Sequence, residues 1–363
     1  MTNRPERLSV GAICLAALAC GDPVLVLGDN PGIMRRVAGV PESAGSSVGA
    51  SALDSQLAEP RGLAVDGNDV VYVASTASRM VQRFAVGGAL EVVARTSSCA
   101  NDVCVARPVA VLPDGLGGLY VADIGAHAVF LLDLSSGTLT LIAGTGVQGT
   151  AADGSVAAAS PLSVPSGLAL DASGRPYFAE AGSGRVRRVE SDGTLVTVAG
   201  SGRRGSEGDG GPATEASLGA PAGLALDGDV LYVADRAEHR IRAVDLATGT
   251  IRTIAGNGTP GFSGDGGPAI AASLDSPSGI AVADAGSTLF IADSDNNRVR
   301  RVSVSGGGID TFAGTGSAEF TAELEAAGVT PVAAPAAVAT DTRGGLFIAA
   351  SGHHIVWRTT IER

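Results

Sequence analysis

At 363 residues and 45% apolar content, the chain is long enough to bury a large core. Its net charge of -12, without any Lys/Arg-rich run, excludes nucleic acid or an anionic membrane surface as the main partner. Glycine, at 52 residues, stands at about twice its usual share while aromatics are scarce, a composition that favours many short strands joined by tight turns.

The first element is a targeting segment, residues 1–20. Arg4 and Arg7 precede an uncharged run from Leu8 to Ala19, which is too short to span a bilayer. The segment ends Ala17-Leu18-Ala19-Cys20-Gly21, which resembles the lipobox of bacterial lipoproteins, with Ala at a first position that is more often Leu. The resemblance implies lipid on Cys20, and an ordinary secretory peptide cut at the same site is the alternative. Both place the mature protein outside the cytoplasm, as an envelope lipoprotein (periplasmic or at the cell surface) or a secreted protein. The membrane is then met through the lipid anchor alone. Residues 21–32 read as a short linker and 33–363 as the folded domain.

Cys14 falls in the removed segment, so Cys99 and Cys104 are the body's cysteines. Their Cys-x4-Cys loop is expected to close as a disulfide in an oxidising compartment, for roughly 2 kcal/mol at best. The competing reading, half a zinc site, lacks a second Cys or His pair nearby.

A repeat dominates the body. Proline followed by a small apolar strand recurs at Pro60, Pro108, Pro165, Pro221, Pro277 and Pro335, at intervals of 48, 57, 56, 56 and 58 residues. The fourth copy shows four short β segments: Gly223-Leu224-Ala225-Leu226-Asp227, Leu231-Tyr232-Val233-Ala234-Asp235, Ile241-Arg242-Ala243-Val244-Asp245 and Ile251-Arg252-Thr253-Ile254-Ala255-Gly256. Turn residues bound each, and none has helical length or period. Four strands repeated six times predict a six-bladed β-propeller in an all-β chain. The sixth unit lacks its outer strand, and Ile33-Met34-Arg35-Arg36-Val37-Ala38-Gly39 has the missing pattern. The N-terminal strand is therefore expected to close the last blade.

Together with His239-Arg240-Ile241-Arg242, these motifs resemble NHL repeats, over about Ile33 to Arg358. The loop Gly261-Phe262-Ser263-Gly264-Asp265-Gly266-Gly267-Pro268-Ala269, echoed from Gly208 to Ala213, is similar to the long inter-blade loop of a bacterial NHL subgroup. No Trp-Asp pair recurs, against the WD40 type.

Several motifs suggest chemistry. Gly144-x-Gly146-x-x-Gly149 has dinucleotide-binding spacing, but its recurrence at Gly200 and Gly256 marks inter-blade turns. Asp293-Ser294-Asp295-Asn296-Asn297 opens like an EF-hand, yet Arg298 and Val304 occupy the positions of the turn glycine and the bidentate glutamate. Asp153, Asp209 and Asp265 place one carboxylate in each long loop; calcium there is conceivable, and a self-bonded Gly-Asp turn is the simpler reading. Four residues beyond the second strand stand Arg79, His127, Gly184, His239, Asn297 and His354. Propeller connectivity is expected to gather these loops and the long loops around one channel mouth.

Two functions follow. The first is a non-catalytic binding or scaffold propeller, monomeric, taking a protein, peptide or glycan on a face formed by Asp123, His127, Asp235, His239, Asp293, Asn297, Asp209 and Asp265. The second comes from the resemblance: related six-bladed families include metal-dependent lyases and lactonases. It implies His127, His239 and His354 as catalytic suspects, with calcium or zinc as the cofactor class. The NHL resemblance also implies a structural role for them, since histidine is an ordinary residue at this position, capping a turn or packing between blades. Asp123, Asp235 and Asp293 likewise read as turn and backbone-binding residues, with Ser75, Glu180 and Ala350 breaking their ring. No nucleophile elbow, zinc-protease helix or phosphate loop is present, and no cofactor is assigned.

Overall fold

The computed structural model describes residues 33–45, 51–320 and 324–361. The targeting segment, the linker and Cys20 lie outside them. Six antiparallel sheets form a closed ring, each ordered from its proline strand outwards. Blade 4 is representative: Pro221–Asp227, Val230–Asp235, Arg240–Asp245 and Thr250–Ala255. In blade 6 the outer strand is Ile33–Ala38, whose Arg35 and Arg36 pair with Arg358 and Trp357. The expected N-terminal closure is thus present.

Proline opens each innermost strand because the first position of a strand tolerates a missing N–H. The register slips just after it in every blade, as between Pro221 and Leu224, and the bulge brings Gly223 against the next blade's innermost strand. A Cβ at Gly223 would overlap the Ser278 carbonyl, so glycine there lets the two strands touch.

The core is divided among the seams between blades. One cluster joins blades 5 and 6 through Phe290, Met34 and Trp357. Another joins blades 6 and 1 through Val37, Phe84 and Phe347. The second strands lie between these layers, and Gly118–Asp123 and Gly345–Ala350 are buried at every residue.

The long inter-blade loops run back over the outer strands. Gly267–Pro268 adds a short strand to the edge of blade 5, and Leu324–Ala326 does the same on Ile33–Ala38 in blade 6. Single bridges repeat the arrangement in blades 3 and 4, Val156 to Thr194 and Pro212 to Thr250. These straps cover edges that would otherwise present unpaired backbone groups. The linker into blade 2 is instead a small hairpin in which Cys99 and Cys104 are disulfide-bonded.

Candidate functional site

Arg79, His127, Gly184, His239, Asn297 and His354 all adopt left-handed backbone, with φ between 45° and 63°. Their side chains explain why. His239 Nδ1 accepts the N–H of Ser276 at 3.1 Å, Asn297 Oδ1 that of Ala334 at 2.8 Å, and His354 Nδ1 that of Glu59 at 3.2 Å. Each donor residue precedes the proline of the next blade and is itself left-handed, at φ 53°, 43° and 47° respectively. For a non-glycine residue that conformation is costly, so it persists where neighbouring bonds hold it. These side chains are latches across seams, and His354 to Glu59 crosses the one between the last blade and the first.

Where Arg79 or Gly184 replaces the latch, the pre-proline residues Arg107 and Ala220 are outside the left-handed region. Their N–H groups go to their own blade's second strand: Asp123 accepts from Arg107 at 2.8 Å and Asp235 from Ala220 at 2.9 Å. Both solutions satisfy a buried backbone donor. His127 and Val164 repeat the two left-handed conformations, but His127 Nδ1 is buried without a hydrogen-bond partner.

The carboxylates at the ends of the second strands are interior groups. Asp123, Asp235, Asp293 and Glu180 are each 0% exposed. For the three aspartates this corrects the expected place on an exposed binding face, because backbone amides occupy their oxygens: Asp123 alone accepts from Ala106, Arg107, Gly125 and Ala126.

A buried arginine on the third strand completes the arrangement in three blades. Arg300 lies 3.3 Å from Asp293 and 2.6 Å from Asp265. Arg187 lies 3.3 Å from Glu180 and 3.0 Å from Asp153, and Arg242 lies 2.6 Å from Asp209. Asp265 and Asp153 also take hydroxyl bonds from Thr311 and Thr197 on the outer strands. The loop aspartates therefore pin the straps to the blades. They do not surround the channel mouth as expected, since the straps turn outwards over the outer strands, and a guanidinium stands where a cation was considered.

Burial pushes the Asp293 carboxyl up to about 6 from 3.8, against the opposing pull of the Asp275 N–H, Asn296 and Arg300. Glu180 and Asp235 are raised for the same first cause. A carboxyl raised on folding adds stability as pH falls from its folded value towards its unfolded one. The unfolding free energy of the wild type relative to Asp293→Asn should therefore rise between pH 7 and pH 4 in urea titrations. A difference that falls on acidification would show that ion pairing outweighs burial.

The concave surface left open is the central channel, a cavity of about 770 Å³ lined by all six innermost strands. Three rings follow from strand alternation. The first, at the mouth carrying the latches, is Arg61, Val109, Ser166, Ala222, Ser278 and Ala336. The middle ring is Leu63, Val111, Leu168, Leu224, Ile280 and Val338. Val65, Pro113, Leu170, Leu226, Val282 and Thr340 form the last ring. Arg236 and Asp295, in second-to-third-strand loops, also line the first mouth. Sequence reasoning passed over these rings, although Arg61 stands out in the repeat alignment where the other copies carry Val, Ser or Ala.

Among the described residues no group of three or more His, Cys, Asp or Glu side chains is placed to hold a metal ion. His127, His239 and His354 belong to blades 2, 4 and 6, and two of the three are engaged at separate seams.

No family model matches the chain. NHL repeat-containing protein 2 of Bos taurus is 28% identical over 229 residues, covering 55% of this chain and 31% of that protein. The chain thus spans about a third of that relative's length. An auxiliary nutrient binding protein from Bacteroides thetaiotaomicron superposes with a TM-score of 0.69 at 12% identity, covering 90% of this chain and 75% of that one. Virginiamycin B lyase from Staphylococcus aureus gives a TM-score of 0.51 at 16% identity, covering 84% and 85%. At these identities the solved structures speak for the fold alone.

Proposed function

The chain is a six-bladed β-propeller of NHL-type repeats, and from that premise we propose that it is an exported binding propeller. Its latch-bearing face takes a protein, peptide or glycan partner. The observation that carries this reading is the use of candidate site side chains inside the fold: His239 and His354, two of the three suspected catalytic histidines, hold backbone amides, and the aspartates hold amides or arginines. What faces solvent on the long loops is of interface type. Val147 and Phe262 are 63% and 43% exposed, and Arg298 and Arg300 stand over the Phe262 ring at 3.9 and 4.9 Å.

The alternative, a metal-dependent lyase or hydrolase, requires His127, His239 and His354 as ligands or bases. Asparagine distinguishes the two, because Asn297 already performs the latch in blade 5. Replacing all three histidines by Asn should leave metal content and partner capture unchanged and Tm nearly so. Replacing them by Ala should cost about 1 kcal/mol for each lost bond. Stoichiometric zinc or calcium in the native protein that is lost with the Asn triple would overturn the binding reading.

The disulfide is consistent with export. Lipid on Cys20 would tether the propeller to the envelope, and Cys20→Ala should then move the protein from the detergent-soluble membrane fraction to the aqueous one without altering its melting. Membrane retention of that variant would remove the anchor.

A further inference from the structure

The channel deepens the binding reading, on which it rests only for the choice of face. We propose that it holds an amphipathic anion, an acyl-chain carboxylate whose tail lies along the middle and last rings and whose headgroup sits between Arg61 and Arg236.

The volume, about 770 Å³, is that of a small-molecule site. The side chains of the interior offer almost no hydrogen bonds. At the first mouth, Ser166 donates to Pro221 O, Ser278 to Ala336 O and Ser294 to Pro335 O, tying neighbouring blades together, and Ser351 donates to Ala334 O within blade 6, so these hydroxyls are already engaged. Thr340 in the last ring bonds Val282 O. A hydrocarbon tail matches the apolar side chains of the middle and last rings, while the free inner edges of the six proline strands keep backbone groups that stay open to water beside it. Strands of six residues give the tube a length of about 20 Å.

Charge sets the orientation. Arg61 and Arg236 come from blades 1 and 4, which face each other in a ring of six. Arg61 has a half-exposed partner in Glu59 at 3.6 Å, a pairing too weak to withhold it from a ligand. Arg236 is exposed and forms no ion pair among the described residues. Asp295 is the one carboxylate lining this mouth, leaving the two arginines in excess. At the other end, Asp66, Asp114, Asp171 and Asp341 follow the innermost strands and cap their turns, and Asp227 ends the innermost strand of blade 4. Asp171 and Asp341 are paired with Arg175 and Arg358 at 2.8 Å, so the negative charge in excess there is that of Asp66, Asp114 and Asp227. A headgroup is therefore drawn to the arginine mouth and repelled from the opposite one, within a protein that is acidic overall.

Isothermal titration of the full chain with dodecanoate and with dodecanol tests this. One dodecanoate should bind per chain, at least tenfold tighter than dodecanol. The double variant Arg61→Ala/Arg236→Ala should lose that preference while keeping dodecanol binding. Ala222→Trp, on the first ring, should abolish both; should it fail to fold, the arginine variant decides alone, since both arginines lie at the surface of the mouth. Absence of dodecanoate binding, or binding unaffected by the arginine pair, overturns the proposal. That failure leaves the histidine-to-asparagine result intact, and metal at the histidines would leave the dodecanoate result intact, so the two readings fail separately.

Discussion

Arg300→Ala should lower stability by about 3–5 kcal/mol, the cost of removing one partner from a buried ion network. The side chain is 0% exposed and lies between Asp293 and Asp265. It also donates to the Ser273 and Ser263 carbonyls at 3.3 and 3.2 Å. Its loss strands one fully buried carboxylate and frees the strap over the edge of blade 5. The protein contains its own compensated versions of the pair. Blade 1 has Ser75 and Gln82, joined at 2.5 Å, and blade 6 has Ala350 and Trp357 at the equivalent positions, both buried. Asp293→Ser combined with Arg300→Gln should therefore recover more than half of the loss, although Asp293→Ser alone also destabilises. Chemical denaturation of the four proteins as a double-mutant cycle measures the coupling. Additive losses would show that the pair is not a unit.

That covariation was legible before any fold was known. Arg187, Arg242 and Arg300 occur in the repeats preceded by the loops bearing Asp153, Asp209 and Asp265, and the other three repeats carry Gln82, Phe130 and Trp357 there. The strand pattern was legible because each blade repeats its proline and alternation locally, with a bulge glycine in four of the six, and the closing strand because its motif is displaced to the other end of the chain. The course of the long loops was not. Connectivity says that they leave and enter on one face, but the outward turn over the outer strands depends on an Arg–Asp contact spanning 33 to 35 residues. The role of the histidines was half visible: their register marked them as a set, while the amides that donate to them lie in the next blade. Asp123, Asp235 and Asp293 were legible as backbone-binding turn residues, but not their burial nor which amides they hold. These are the pre-proline ones of Arg107 and Ala220 for Asp123 and Asp235 and that of Asp275 for Asp293, and they appear only once two strands are placed side by side.

A chain beginning at residue 41 should fail to form a stable monomeric ring. The missing segment contributes Met34, Val37 and Ala38, exposed by 0%, 4% and 0%, to two of the seams. Burying the two larger side chains is worth about 2 kcal/mol each, and the ladder to Ile355–Thr360 adds several bonds of about 1 kcal/mol. The total, about 8 kcal/mol, approaches the whole stability of an ordinary domain. The damage is also topological. Without Ile33–Ala38 the strand Ile355–Thr360 becomes an open edge, and the strap strand Leu324–Ala326 loses its partner. Such an edge pairs with other chains, so aggregation should accompany the loss. Size-exclusion chromatography and thermal melting of the truncated chain provide the first measurement. Adding a peptide of residues 31–41 in excess provides the second, because an antiparallel strand needs no covalent link to dock. Recovery of monomer and melting temperature by that peptide, with no recovery by a scrambled one, would show that the loss comes from the missing strand rather than from a damaged remainder. A truncated chain that melts like the full one would mean that the seam between blades 6 and 1 closes without it.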